Sequence, residues 1–267
     1  MIRQPAVAGQ FYPADKKTLE QEVNKYLQVK AIPQKAIGVI APHAGYMFSG
    51  RVAGQVYAAT QVPENCIVLS PNHNGRGANV AIMSAGAWQI PFGDVPINSK
   101  LAKALQEKCS LIKEDVLAHA FEHSLEVQLP FLLAKQPKLS IVPITISRLN
   151  IEECQKLGLA IAETIKQSKQ PILIVASSDL NHYENQEITK EKDQAALDKV
   201  LALDPEGLLA TCATKGITMC GVIPTAIMLI AAKKLGAKNA KLIKHETSGD
   251  VCGDFSAVVG YAGIIVY

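Results

Sequence analysis

Aromatic residues are scarce in this chain, at 5% of 267 residues with a single tryptophan, Trp88. Stacking platforms for nucleic-acid bases therefore have few candidates. A strong charge of either sign is also missing: 27 Lys and Arg stand against 24 Asp and Glu, a net charge of +3. So small a balance gives no electrostatic case for a nucleic-acid partner. No apolar run is long enough for a bilayer; the longest, Val222 to Ala232, is short and holds Pro224. The opening MIRQPAVAGQFYP has no apolar signal core. These absences point to a soluble cytoplasmic protein with no membrane and no nucleic acid among its partners. Repeats, low-complexity tracts and linker-like shifts in composition are absent as well.

What is present is an ordinary globular composition, with 48% hydrophobic and 19% charged residues. A chain of this size buries roughly 70–75% of its extended surface on folding. The six cysteines are not needed as staples, and Cys66 and Cys154, in apolar and helical surroundings, read as small core residues. The whole chain, 1–267, reads as one domain.

Apolar runs rich in β-branched residues occur at 36–41 (AIGVIA), 66–70 (CIVLS), 139–146 (LSIVPITI) and 171–176 (PILIVA). Strands apolar throughout belong to a sheet covered on both faces. Pro143 inside one of them suggests an edge or a bulge. Helical patterns fall at about 15–27, 49–59, 99–107, 122–134, 151–166, 187–202 and 224–235. Asn98 and Asn150 stand where caps belong, and Gly236 where a helix stops. A β-rich run over 256–267 closes the chain. Strand followed by helix, repeated, predicts an α/β fold, a three-layer α/β/α arrangement around a mostly parallel central sheet.

The informative polar residues are histidines. The first run ends in Pro42-His43-Ala44-Gly45, the second in Pro71-Asn72-His73-Asn74-Gly75, and the fourth in Ser177-Ser178-Asp179-Leu180-Asn181-His182. Three strands each deliver a histidine beyond their carboxyl ends, the edge where open α/β sheets bind ligands. Two neutral imidazoles are good ligands for zinc, iron or copper. A third ligand is sought in the loop Ser248-Gly249-Asp250-Val251-Cys252-Gly253-Asp254. Cys252 completes a His-His-Cys set, whereas Asp250 or Asp254 gives two histidines and one carboxylate; spacing leaves both open. Asp179, three residues before His182, suits a carboxylate that orients a general base. Glu122 and Glu126 read as acids in the first turn of a helix, with His123 undecided between structure and site. His119 and His245 carry no motif. Arg76, in a short Gly75-Arg76-Gly77 turn near His73, is placed to meet an anionic substrate.

Several of these segments, in order, resemble one family. APHAGY at 41–46, SPNHNG at 70–75, EHSLEVQLP at 122–130, SSDLNH at 177–182, VVGYAG at 258–263 and the opening RQPAVAGQFYP at 3–13 are similar to the Memo (mediator of cell motility) family. Its prokaryotic members are described as protein B of the AmmeMemoRadiSam system. The resemblance implies a fold similar to class III extradiol dioxygenases. It implies an iron or copper site with His43 and His73 as ligands and Cys252 where the dioxygenases carry a glutamate. It also implies His182 as the base with Asp179 its neighbour. The segment Met219-Cys220-Gly221-Val222-Ile223-Pro224 resembles the family's cysteine–glycine pocket segment. A radical-SAM protein and an AMMECR1-type protein are the pathway partners the family implies.

Three functions are in play. The first is a metal-dependent redox or oxygenase-like enzyme acting on a small-molecule or peptide ligand. The second is a non-catalytic metal- or peptide-binding scaffold that keeps the cleft. The third, metal-free hydrolysis with Cys252 as nucleophile and His182 as base, leaves His43 and His73 unexplained.

Overall fold

The computed structural model describes residues 1–267. Four parallel strands form the centre of a nine-stranded sheet, in the order Gly38–Ala41, Ile172–Ser177, Asn65–Pro71 and Ser140–Ile146. All four correspond to the apolar runs of the sequence. Their successive residues divide between two cores. Ile40, Ile67, Leu69, Ile174 and Ala176 join one cluster, while Val39, Ala41, Cys66, Val68, Leu173 and Val175 join the other. That division is the pleat of a sheet buried on both faces, with alternate side chains pointing to opposite sides.

The parallel centre has antiparallel margins. Val258–Val266 pairs antiparallel with Gly38–Ala41, and it also carries Ala240–Thr247 and the short His182–Glu184. On the far side Val80–Ile82 runs antiparallel to Ser140–Ile146 and parallel to Lys113–Glu114. Pro143 does not sit at the sheet's outer edge. It pairs with Val68 on one side and lies one residue past the stretch, Ile144–Ile146, that pairs with Val80–Ile82. Its missing N–H is tolerated where the outer ladder stops. A separate three-stranded sheet joins Ile2–Arg3, Ala87–Ile90 and Gly93–Pro96.

Helices Lys16–Leu27, Tyr46–Ala58, Ser99–Lys108, Ile151–Gln167, Gln186–Leu201 and Val222–Lys234 match the helical patterns within a few residues. Asn98 accepts from the Leu101 N–H, and Asn150 forms a full capping box with Glu153; each such cap contributes about 1 kcal/mol. Gly236, just past the last of these helices, takes φ 99°, the left-handed stop that glycine allows. The helix Pro205–Lys215 and the strand Ala240–Thr247 have no counterpart in the sequence reading. Half-exposed along most of its length, that strand alternates Leu242 and charged residues rather than running apolar.

One predicted helix is replaced. Over 122–134 the chain forms only a 3-10 turn, Glu126–Gln128, and a helix from Leu129 to Lys135. Glu122, His123 and Ser124 lie before it in irregular backbone. The acids therefore do not serve a helix dipole; each is buried and spoken for by other groups. Glu126 takes the Arg3 guanidinium, the Tyr12 hydroxyl and the Ala6 and Val7 N–H groups. Arg3 also lies over the Trp88 ring at 4.3 Å and donates to the carbonyls of His119 and Glu122. The first dozen residues are thus strapped onto the segment that carries Glu122 and His123. No helix is long and apolar enough to cross a membrane.

Candidate metal centre

Strand order explains why the histidines meet. Ile172–Ser177 lies between Gly38–Ala41 and Asn65–Pro71, all three parallel, so their carboxyl ends open on one edge. His43 follows the first strand and His73 the third, about two strand spacings or ~10 Å apart in backbone. Their rings close that gap to 5.1 Å between centroids. His123 joins them from the irregular segment, 4.7 Å from His73 and 5.5 Å from His43. One ring nitrogen from each of His43, His73 and His123 lies within 4.8 Å of the others. Phe11, on the N-terminal strap, packs on His123 at 4.7 Å. All of them line a cleft of about 620 Å³, together with Gly45, Asp179, His182, Tyr183, Thr218 and Cys220.

Each imidazole is held from behind. His73 Nδ1 lies 2.9 Å from Glu122 Oε1, and the other carboxylate oxygen accepts the His73 backbone N–H at 2.7 Å. Ser124 donates to Glu122 through both its hydroxyl and its N–H. Burial pushes the Glu122 carboxyl up, but the His73 bond and charge and the Ser124 bonds outweigh it and hold it at about 2. Glu122 is therefore a carboxylate, an acceptor only, and His73 carries its proton on Nδ1. The reciprocal effect raises the His73 pKa: burial lowers it, and the Glu122 bond and charge more than compensate. A histidine whose far nitrogen donates to a carboxylate is the usual supporting arrangement of a metal ligand.

His43 is fully buried, and burial, aided by the neighbouring imidazoles, drives its pKa well below the ordinary histidine value. Its Nδ1 lies 2.8 Å from Ser177 Oγ and its Nε2 lies 3.1 Å from Cys220 Sγ. Burial pushes the Cys220 thiol up, so it stays protonated in the chain alone. Gly221 lets Cys220 come this close: a Cβ there would run into the Ser177 carbonyl and the Ser178 side chain.

The structure does not bring Cys252 to this cleft. Cys252 is exposed at the end of the short helix Gly249–Cys252 and is absent from the cleft lining. Asp250 and Asp254 stay local too, accepting from Thr247 and Ser256. The cysteine beside the histidines is Cys220, in the segment whose likeness to a cysteine–glycine pocket was the one signal for it. Glu122 was visible as an acid at an expected helix start, where a structural role was at least as ready as a catalytic one, and His123 was undecided between structure and site. Ser177 stood in the SSDLNH segment with no role of its own assigned, and Thr218 carried no signal.

His182 lines the cleft, and its Nδ1 lies 3.0 Å from the Thr218 carbonyl, which fixes the proton there. Burial lowers the His182 pKa, partly offset by its backbone bonds. Asp179 makes no hydrogen bond to His182; it accepts the N–H groups of His43 at 2.7 Å and Ala44 at 3.4 Å. Burial raises the Asp179 carboxyl to about 7 against those two bonds. Next to His182, Tyr183 adopts φ 61° and exposes its ring on the rim. A non-glycine residue in the left-handed region is strained, and such strain gathers at functional sites. Arg76 points elsewhere, over the Phe121 ring at 5.1 Å.

Fold and cleft together define an α/β protein with a candidate three-histidine metal site at the carboxyl edge of its sheet. The model of the Memo-like protein family matches residues 3–265. A MEMO1 family protein of Methanopyrus kandleri is 40% identical over 279 residues, covering 99% of each chain. Those of Pyrobaculum arsenaticum and Methanosarcina mazei are 39% identical over 278 residues and 40% over 267, each with at least 99% of both chains covered. The chain belongs to the Memo family. Its fold is also similar to the crystal structure of an uncharacterized protein of Escherichia coli K12, with a TM-score of 0.55 at 14% identity, covering 85% of this chain and 98% of that one.

Proposed function

We propose that this protein is a mononuclear metal protein with redox or oxygenase-like activity on a small-molecule or peptide ligand. The observation that carries this reading is the convergence of His43, His73 and His123 within 4.8 Å, with His73 anchored on the buried Glu122 carboxylate. The donor chemistry fits a metal: borderline imidazoles with a soft thiol, Cys220, 3.1 Å from His43 Nε2. Such a set suits iron, copper or zinc, and the redox reading favours iron or copper. A bound ion supplies Lewis-acid polarisation or a redox centre with room for an exogenous ligand.

The chain's own residues supply the rest. His182, held through Nδ1 by the Thr218 carbonyl, offers Nε2 as a proton acceptor at the cleft. Asp179, raised to about 7, is able to hold or release a proton near neutral pH. Phe11 and Tyr183 wall the cleft with aromatic surface that excludes water from one side of a ligand. The test is anaerobic reconstitution with ferrous, cuprous or zinc ion, followed by desalting and metal analysis. Wild-type protein retains close to one equivalent, and His43→Ala with His73→Ala retains none. Equal retention by the double variant rejects the site. Once a substrate is found, His182→Ala keeps the metal and loses turnover; loss of both together rejects His182 as the base.

A further inference from the structure

The motif around Glu122–Gln128 does more than supply His123. Ser177 Oγ has three neighbours, all buried: the Ser124 carbonyl at 2.6 Å, Gln128 Nε2 at 2.8 Å and His43 Nδ1 at 2.8 Å. A hydroxyl has one proton to give and two lone pairs to fill. The Ser124 carbonyl only accepts, so it takes the proton. The Gln128 amide is oriented independently of Ser177: its Nε2 lies 2.9 Å from the Pro42 carbonyl, and its Oε1 receives the Tyr57 hydroxyl at 2.8 Å. Gln128 therefore donates to Ser177. The remaining neighbour, His43 Nδ1, has only a lone pair of Ser177 to meet, and so it carries a proton. The opposite tautomer would set His43 Nδ1 and the Ser124 carbonyl competing for one proton and leave a buried acceptor unpaired. The Cys220 thiol, 3.1 Å from His43 Nε2, sits where an S–H meets a bare ring nitrogen.

We infer that Ser177, oriented by Gln128 and Ser124, is a positioning residue that locks His43 in the Nδ1–H tautomer and so presents its Nε2 lone pair to the cleft. Its consequence for metal binding rests on the metal reading above. The two strand-end histidines are then locked by different chemistry: His73 by a carboxylate, His43 by a neutral hydroxyl–amide chain running through Tyr57.

Nitrogen-15 NMR of the imidazole rings in metal-free protein at pH 8 tests the assignment without any metal. Wild-type His43 should show a protonated Nδ1 and a bare Nε2, and a protonated Nε2 overturns the inference. Ser177→Ala should give a mixed or inverted His43 tautomer while the His73 signals stay as they are. If that variant does not fold, Gln128→Leu, which leaves the Ser177 hydroxyl donating to the Ser124 carbonyl, should keep His43 Nδ1 protonated, and a protonated Nε2 there overturns the inference. Zinc titration of the same samples should show about 10–100-fold weaker binding by Ser177→Ala. Unchanged affinity with the Nδ1–H tautomer retained overturns the positioning role. Absence of zinc, ferrous and cuprous binding by the wild type rejects the metal reading, while the ring spectrum still decides the tautomer.

Discussion

Two polar segments compete, in the sequence, to complete the site: EHSLEVQ at 122–128 and SGDVCGD at 248–254. Both hold two acids and a metal-capable side chain. In the fold they are opposites. Glu122, Ser124, Glu126 and Gln128 are fully buried, and each is matched to a partner on another element. Cys252, Asp250 and Asp254 are exposed and bond only to near neighbours in the chain. What separates a site from a solvated loop here is burial with full satisfaction. A buried carboxylate left unpaired costs several kcal/mol, so each one present must be held by something.

The comparison breaks most sharply under truncation. Glu126→Ala strands the buried Arg3 guanidinium and three further donors, the Tyr12 hydroxyl and the Ala6 and Val7 N–H groups, and should lower the urea-unfolding free energy by about 4 kcal/mol. Asp254→Ala should leave the unfolding midpoint unchanged. A mild loss at Glu126 would show that water satisfies the N-terminal strap.

Just before the buried segment, His119 should make stability depend on pH. Burial, aided by the nearby Arg3 charge, lowers its pKa to about 4. Below the ordinary value of ~6.5 the unfolded chain takes up a proton that the folded chain refuses, so stability falls as pH drops from there to about 4. The loss amounts to about 3 kcal/mol from this group at ~1.4 kcal/mol per pH unit. Unfolding free energies measured across that window should fall less steeply for His119→Asn than for wild type; parallel curves would contradict the buried neutral imidazole.

Glu122→Gln keeps size and burial but removes the charge that anchors His73. Competition titration with a zinc chelator should show affinity weaker by about 10–100-fold. Asp250→Asn should give no change. The smallest effect is expected at Cys252: Cys252→Ser should bind zinc as wild type does, and Cys252 should be the first thiol modified by a bulky maleimide. A measurable affinity loss at Cys252 but none at Cys220→Ser would restore the loop to the site.

The sheet was legible because its four central strands are apolar throughout and rich in β-branched residues, as strands covered on both faces are. His43 and His73 were legible because they follow those strands directly, and the strand order then brings them together. Ala240–Thr247 escaped because a strand with one wetted face mixes Lys241, Lys244 and His245 into its run. Glu122 was misread because an acid before an apolar stretch is as good a helix-start signal as a second-layer carboxylate, and only the tertiary contact with His73 distinguishes them. Cys220 and Cys252 differ in nothing a sequence displays except their neighbours. Gly221, which lets the backbone press against Ser177 and Ser178, is what carries Cys220 into the cleft.

His43, His73 and His123 are proposed to gather around one ion. X-ray absorption at the metal edge of protein loaded anaerobically with one equivalent of ferrous ion tests it directly. Scattering from two or more imidazole rings is predicted, lost in His43→Ala with His73→Ala; an oxygen-only shell, or a spectrum unchanged in the double variant, would contradict it.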